Sequence, residues 1–262
     1  MKIAILGAGM MGSALAFPAA ENGHDVRIIG TCLDDEIIDG YIRTHKHEKF
    51  CRPFPDNVSY HYFKDWKATV EGCDFVIGGV SSFGVDWFLE EILTQLDPKM
   101  PVLSVTKGLR ATEDGTLLSY PGYWESELAK RGINRTICAI GGPCTSYELV
   151  FKDPSEVGFC GRDNEALRMM KQAMQRPYYH ISLTNDVIGL ESAVALKNAY
   201  AMAVTLAVGL NTRWHGENEP QHFNSQAGTF TQAVRETHAL MQMQGGTFES
   251  ECIGLGDLYV TI

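Results

Sequence analysis

The sequence predicts an α/β N-terminal domain with a doubly wound, mostly parallel sheet, followed by an all-α C-terminal domain. Three observations predict it. Gly7-Ala8-Gly9-Met10-Met11-Gly12 stands between an apolar run of strand length and a helical stretch. Short apolar runs recur at 75–80, 102–106 and 136–140, the first of them fully apolar in the manner of a strand buried on both faces. After Asn185 the character changes to a long, alanine-rich stretch of helical periodicity. The boundary is therefore placed between residues 1–185 and 186–262.

The elements follow in order. Met1 to Leu6 reads as a strand and Met10 to about Glu21 as a helix stopped by Asn22-Gly23, with Pro18 predicting a kink or a late start. Asp25 to Gly30 is the second strand. With strand, turn, helix and strand in register, the glycine pattern reads as a Rossmann dinucleotide fingerprint. The first glycine allows the tight turn, the second lets backbone approach a pyrophosphate, and the third lets helix pack close to strand. Free N–H groups at the helix N-terminus then face the anion. The acidic residue that would bond the ribose hydroxyls has no clear representative. The first carboxylates after the second strand are Asp34 and Asp35, neither squarely at the expected place, and no Arg cluster stands there for a 2′-phosphate. The sequence thus predicts NAD and leaves NADP open.

Thr44 to Asp56 reads as a solvated loop. His45, His47 and His61 have no compact ligand spacing, so no metal site is predicted. Ser81-Ser82-Phe83 follow the strand at 75–80, where ligands of doubly wound sheets bind. Trp87 to Leu96 reads as a helix ended by Asp97-Pro98. Val102–Thr106 and Thr136–Ile140 are strands, leading into Lys107-Gly108-Leu109 and Gly141-Gly142-Pro143. Glu156–Cys160 and Tyr179–Leu183 are strands flanking an Asn164–Gln175 helix. Val187 to Gly209 is a long helix, Asn211 to Phe223 a polar loop, and Gly228 to Gln244 a further helix ended by Gly245-Gly246.

Composition narrows the function. The chain has 262 residues, 45% hydrophobic and 21% charged, as in a globular protein with a sizeable core. A formal net charge of −10 argues against nucleic-acid or anionic-membrane partners and requires local Lys or Arg for any anionic substrate. Seven cysteines without a CxxC pair read as reduced thiols, which predicts a cytoplasmic protein. The chain enters a strand at once, so no signal peptide is expected, and no apolar run is read as long enough for membrane insertion.

Three residues stand out chemically. Lys197 interrupts the apolar run from Ala193 to Ala203, where burial would lower its pKa toward the range useful for acid–base catalysis. The bland alternative is a lysine on the exposed side of that helix. Lys107, just past a buried strand, can reach a substrate or cofactor oxygen, or be a plain loop lysine. Asp257, in Gly254-Leu255-Gly256-Asp257-Leu258, is a candidate acid or a helix N-cap after glycines.

Gly7–Gly12, Thr106-Lys107-Gly108-Leu109, Gly142-Pro143-Cys144-Thr145-Ser146-Tyr147-Glu148, Leu196-Lys197-Asn198 and Gly254-Leu255-Gly256-Asp257-Leu258 with Thr261 occur in one order and spacing. In these elements the chain resembles the NAD(P)-dependent glycerol-3-phosphate dehydrogenases over nearly its whole length. The resemblance implies a hydride transfer between NAD(P)H and dihydroxyacetone phosphate, giving sn-glycerol 3-phosphate for phospholipid precursors. It implies that Lys197, Lys107 and Asp257 are catalytic and that Gly7, Gly9, Met10, Met11, Gly12, Phe83, Lys107 and Ser146 hold the cofactor. The substrate residues would be Lys107, Gly142, Cys144, Lys197, Asn198, Asp257 and Thr261, and the assembly a homodimer. The chain departs from the family at Cys144, where a Ser or Thr is frequent, and at Gln232, where an Arg is usual. The family's Ser-Arg-Asn phosphate-binding motif falls beyond Thr261, so a helical domain truncated at its C-terminal end is expected. The departures leave two alternatives: a dehydrogenase of another phosphorylated polyol or a 2-keto acid, or a non-catalytic dinucleotide-binding module.

Overall fold

The computed structural model describes residues 1–216, 220, 223–247 and 249–262. It opens with β1 (Lys2–Leu6), buried from Ile3 onward, and α1 (Met10–Glu21), which starts at Met10 and continues through Pro18. The late start considered for this proline therefore does not occur. β2 (Asp25–Ile29) pairs in parallel with β1, Ile3 opposite Val26 and Ile5 opposite Ile28. α2 (Asp35–Thr44) and β3 (Val58–His61) follow, then α3 (Trp66–Val70) and β4 (Phe75–Gly78).

The 44–56 segment is not solvated as expected. Phe50, Phe54 and His47 are buried, and Phe54 stacks on Phe17 of α1 at 5.2 Å between ring centroids. Phe50 and Phe54, with His47 stacked on Phe50, decide its place.

α4 (Val85–Phe88) passes into a π-helical turn, Leu89–Leu93, before β5 (Val102–Ser104). A short antiparallel hairpin, β6 (Leu109–Ala111) and β7 (Leu117–Ser119), precedes α5 (Tyr120–Lys130). β8 (Ile137–Gly141), α6 (Ser146–Val150), β9 (Ser155–Cys160), α7 (Asn164–Met174) and β10 (Tyr179–Thr184) complete the α/β part. The sheet is eight-stranded in the order β10-β9-β8-β5-β4-β1-β2-β3. Every neighbouring pair is parallel except β8 with β9, where Ala139 faces Cys160. The order reverses between β1 and β4, so the crevice beyond their C-terminal ends is the topological switch point of this sheet.

α8 (Val187–His215), α9 (Phe223–Met243) and α10 (Glu251–Tyr259) are helices packed on one another, and α8 also lies against β7, β8 and β9. α8 runs past the expected end at Gly209. Thr212 Oγ1 donates to the Val208 carbonyl at 3.1 Å, and Arg213 and His215 place side chains that favour a helix C-terminus in the last turn. Of the loop expected at 211–223, residues 211–215 are therefore helical, and residues 217–219, 221 and 222 lie outside the described residues. α8 also corrects the expectation about apolar runs. It is 29 residues long and includes an 18-residue stretch of mean hydropathy 1.5, so by length and composition it could cross a membrane. It nonetheless carries Glu191 and Lys197 and packs on the sheet along its first turns.

Candidate active site

The glycine-rich turn is held from both sides. Gly7 has φ +112°, and a Cβ on it would stand 2.5 Å from the Gly79 carbonyl oxygen at the end of β4. A Cβ on Gly12 would meet the Gly7 carbonyl at 2.5 Å, so both glycines are needed for α1 to pack close to the sheet. At Gly9 a Cβ would find only Gly79 O, at 3.9 Å. The space above Gly9 is thus an open cradle that a side chain would fill, and the first N–H groups of α1 lie beside it without intrahelical partners. These residues fit a dinucleotide pyrophosphate.

Three groups fix Ala8 in the turn. Its N–H donates to Asp34 Oδ2 at 3.2 Å, and its carbonyl accepts from Tyr41 Oη at 2.9 Å and Ser13 Oγ at 3.1 Å. Asp34 Oδ2 also accepts from the Thr31 N–H and Oγ1, both at 2.8 Å. This carboxylate sits beside the turn although it is four residues beyond Gly30 in the chain. The signal that could have found it was the Thr31–Asp34 spacing of a turn that folds back on itself. A cleft of about 520 Å³ runs from Gly9 and Met10 to Arg43, Lys46 and Lys49. Phe83 is 99% exposed on the turn after β4. Ser146 begins α6, capped by Thr145, which accepts from the Glu148 N–H at 3.4 Å.

The C-terminal ends of β5 and β8 bring the second half of the site together. Lys107, three residues past β5, donates to Asp257 Oδ2 at 2.7 Å and to the Gly142 carbonyl at 3.4 Å. Lys197, from α8, donates to the other oxygen, Asp257 Oδ1. Asp257 is 1% exposed, and the two lysine side chains are 26% and 15% exposed. One buried carboxylate is therefore shared by two ammonium groups, leaving a net positive cluster. Burial pulls the Lys197 pKa below the usual lysine range, the Lys107 charge lowers it further, and Asp257 opposes both.

Asp257 lies inside α10, so it is not a helix N-cap. The two glycines before it serve packing instead. A Cβ on Gly254 would come 2.5 Å from the Ala193 Cβ of α8, and one on Gly256 would come 2.9 Å from the Pro143 side chain. α10 can approach both α8 and the loop after β8 only because neither has a side chain, and that approach sets Asp257 between the lysines.

The remaining candidates are placed as follows. Thr261 Oγ1 donates to the Asp257 carbonyl at 2.7 Å. Asn198 is exposed beside Lys197. Met11, Lys107, Gly142 and Cys144 line one small cavity of about 20 Å³, which joins the cofactor and substrate candidates. Burial pushes the Cys144 thiol up to about 11, so it stays protonated at neutral pH. Gln232 is exposed on α9 and donates to Glu236 at 2.9 Å. Sequence reasoning missed Glu191, a fully buried carboxyl on α8.

The family model described as the NAD-dependent glycerol-3-phosphate dehydrogenase N-terminus matches residues 2–167, and that described as its C-terminus matches residues 186–262. The chain is 30% identical to an NADP(+)-dependent glycerol-3-phosphate dehydrogenase of Archaeoglobus fulgidus, covering 100% of this chain and 76% of that protein. It is 29% identical to a glycerol-3-phosphate dehydrogenase [NAD(P)+] of Bacillus pumilus, covering 99% and 72%. Among solved structures, the glycerol-3-phosphate dehydrogenase of Coxiella burnetii shares the fold with a TM-score of 0.83 at 23% identity, over 99% of this chain and 74% of that one.

Proposed function

The chain belongs to the NAD-dependent glycerol-3-phosphate dehydrogenase family, and from that premise we propose how its residues divide the work of the reaction. It is an NAD(P)-dependent oxidoreductase acting on a CH–OH group, and it interconverts dihydroxyacetone phosphate and sn-glycerol 3-phosphate. The observation that carries the assignment is Asp257, buried and shared by Lys107 and Lys197.

Gly7, Gly9, Met10, Met11, Gly12, Phe83, Lys107 and Ser146 would hold the dinucleotide. Bound there, the dihydronicotinamide supplies the hydride for the substrate C2. The carbonyl oxygen gains negative charge as the hydride arrives. Lys197, as an ammonium, stabilises that charge and delivers the proton to the oxygen. In the oxidation direction the neutral Lys197 amine takes the hydroxyl proton. Asp257 orients both lysines and keeps Lys197 protonated against burial. Lys107 meets the anionic substrate, whose pocket is completed by Gly142, Cys144, Asn198 and Thr261. In this reading residues 1–185 form the dinucleotide domain and 186–262 the substrate-side helical domain, working in the cytoplasm as a homodimer.

A turnover screen tests the substrate. Purified protein is offered NADH or NADPH with dihydroxyacetone phosphate, longer ketose phosphates and 2-keto acids. Dihydroxyacetone phosphate is expected to be reduced fastest. Faster reduction of a 2-keto acid or of a longer phosphate would displace the assignment. Dinucleotide binding without turnover of any of them would make the chain a binding module.

A further inference from the structure

Glu191 lies on the second turn of α8, six residues before Lys197, and is 0% exposed. Neither of its carboxyl oxygens has a hydrogen-bond partner among the described residues. An ionised carboxylate without partners is among the costliest groups to bury, and an apolar side chain of similar volume would fill the space without that cost. Its surroundings are specific. Lys107, from the loop after β5, is the charge that acts on Glu191 to favour its ionised form. Cys160, at the end of β9, feels the field of Glu191, and Asp186 at the start of α8 acts on the same thiol. Lys107 is in turn ion-paired with Asp257 of α10, which also holds Lys197. The turn after α9 faces this stretch with neutral Gln244, which accepts from Ser192 at 3.0 Å.

We propose that Glu191 is a positioning residue that sets the net charge of the active site. As a neutral acid it leaves the Lys107–Asp257–Lys197 cluster with one net positive charge for an anionic substrate. Ionised, it cancels that charge and draws the Lys107 ammonium toward itself, away from the substrate. The proton it loses goes to solvent. The inference rests on the functional reading above, since only an anionic substrate feels the difference. Burial places the switch in a useful range, for it pushes the carboxyl pKa up to about 8. Below that pH the site attracts anions, and above it the attraction fades.

The test is the affinity of the NADH-loaded protein for sn-glycerol 3-phosphate, a pair that cannot react, by calorimetry from about pH 6.5 to about pH 9.5. Wild-type affinity is expected to weaken by about tenfold through the Glu191 midpoint. In Glu191→Gln that step is expected to vanish, leaving only the lysine titration at higher pH. Superimposable profiles would overturn the proposal. Should Glu191→Gln fail to fold, infrared difference spectra of the wild type carrying ¹³C-labelled glutamate decide. A protonated-carboxyl band present at neutral pH and lost at alkaline pH supports the proposal, and its absence at neutral pH overturns it. Neither readout needs turnover, so a wild type that binds glycerol phosphate yet reduces no dihydroxyacetone phosphate would strike the functional reading and leave Glu191 separately tested.

Discussion

Asp257→Asn removes one charge and keeps the side-chain shape. In the native site Lys107 Nζ lies 2.7 Å from Oδ2, and Lys197 Nζ holds Oδ1. Removing one partner of a buried ion pair costs about 3–5 kcal/mol, because the other charge is left stranded. The stranded groups are partly wet, at 26% and 15% exposure, so screening reduces the expected cost to about 2–3 kcal/mol. For a chain of this length each kcal/mol moves Tm by about 2–4 °C, which predicts a fall of about 4–12 °C. A second effect concerns pH. Asp257 raises the Lys197 pKa against burial and against Lys107, so its removal lowers that pKa further. Reduction needs protonated Lys197 and is lost as pH rises through its pKa. The alkaline fall of kcat for reduction therefore moves to lower pH in Asp257→Asn. Oxidation needs neutral Lys197, so its onset moves to lower pH as well. Thermal unfolding and kcat–pH profiles in both directions measure these effects. An unchanged Tm together with profiles that superimpose on the wild type would refute the reasoning.

Two further variants separate the halves of the site. Gly9→Val is expected to fold with an unchanged Tm, since its Cβ approaches only Gly79 O at 3.9 Å, yet to weaken NAD(H) binding by roughly 10²-fold. A dinucleotide titration checks it, and unaltered affinity would remove the turn from the cofactor site. Gly254→Val drives a side chain into Ala193, where even a Cβ would lie at 2.5 Å, and is expected to cost about 1–3 kcal/mol as α10 is pushed from α8. Because that shift carries Asp257 away from Lys197, kcat should fall while dinucleotide affinity holds. Loss of both together would show that the damage is not local to the helices.

Much of the candidate site was legible because its residues break a local pattern. Gly7 and Gly12 stand at a strand–helix junction where side chains are excluded, Gly9 stands between them beside open space, and Lys197 interrupts an alanine-rich helix. Lys197 and Asp257, sixty residues apart, were grouped as catalytic by family resemblance alone, since no local rule brings α8 to α10. The same limit explains the helix-cap alternative for Asp257: Gly254 and Gly256 look like a helix break, and only the neighbouring Ala193 and Pro143 show them to be packing glycines. α2, β3 and α5 escaped the pattern reading because their buried positions are few and their ends polar. The 44–56 segment looked solvated by composition, although Phe50 and Phe54 anchor it in the core. Glu191 was invisible for a different reason: a single glutamate on a long helix is normally exposed, and only the approach of α8 to the sheet buries it.

The central claim is that Lys197, held by Asp257, delivers the proton in the reduction. The most direct measurement is single-turnover oxidation of bound NADH by saturating dihydroxyacetone phosphate in Lys197→Met, which keeps the apolar stem and removes the charge. The rate is expected to fall by roughly two to four orders of magnitude, with NADH affinity close to that of the wild type. A folded Lys197→Met that transfers hydride at a near-normal rate would contradict it.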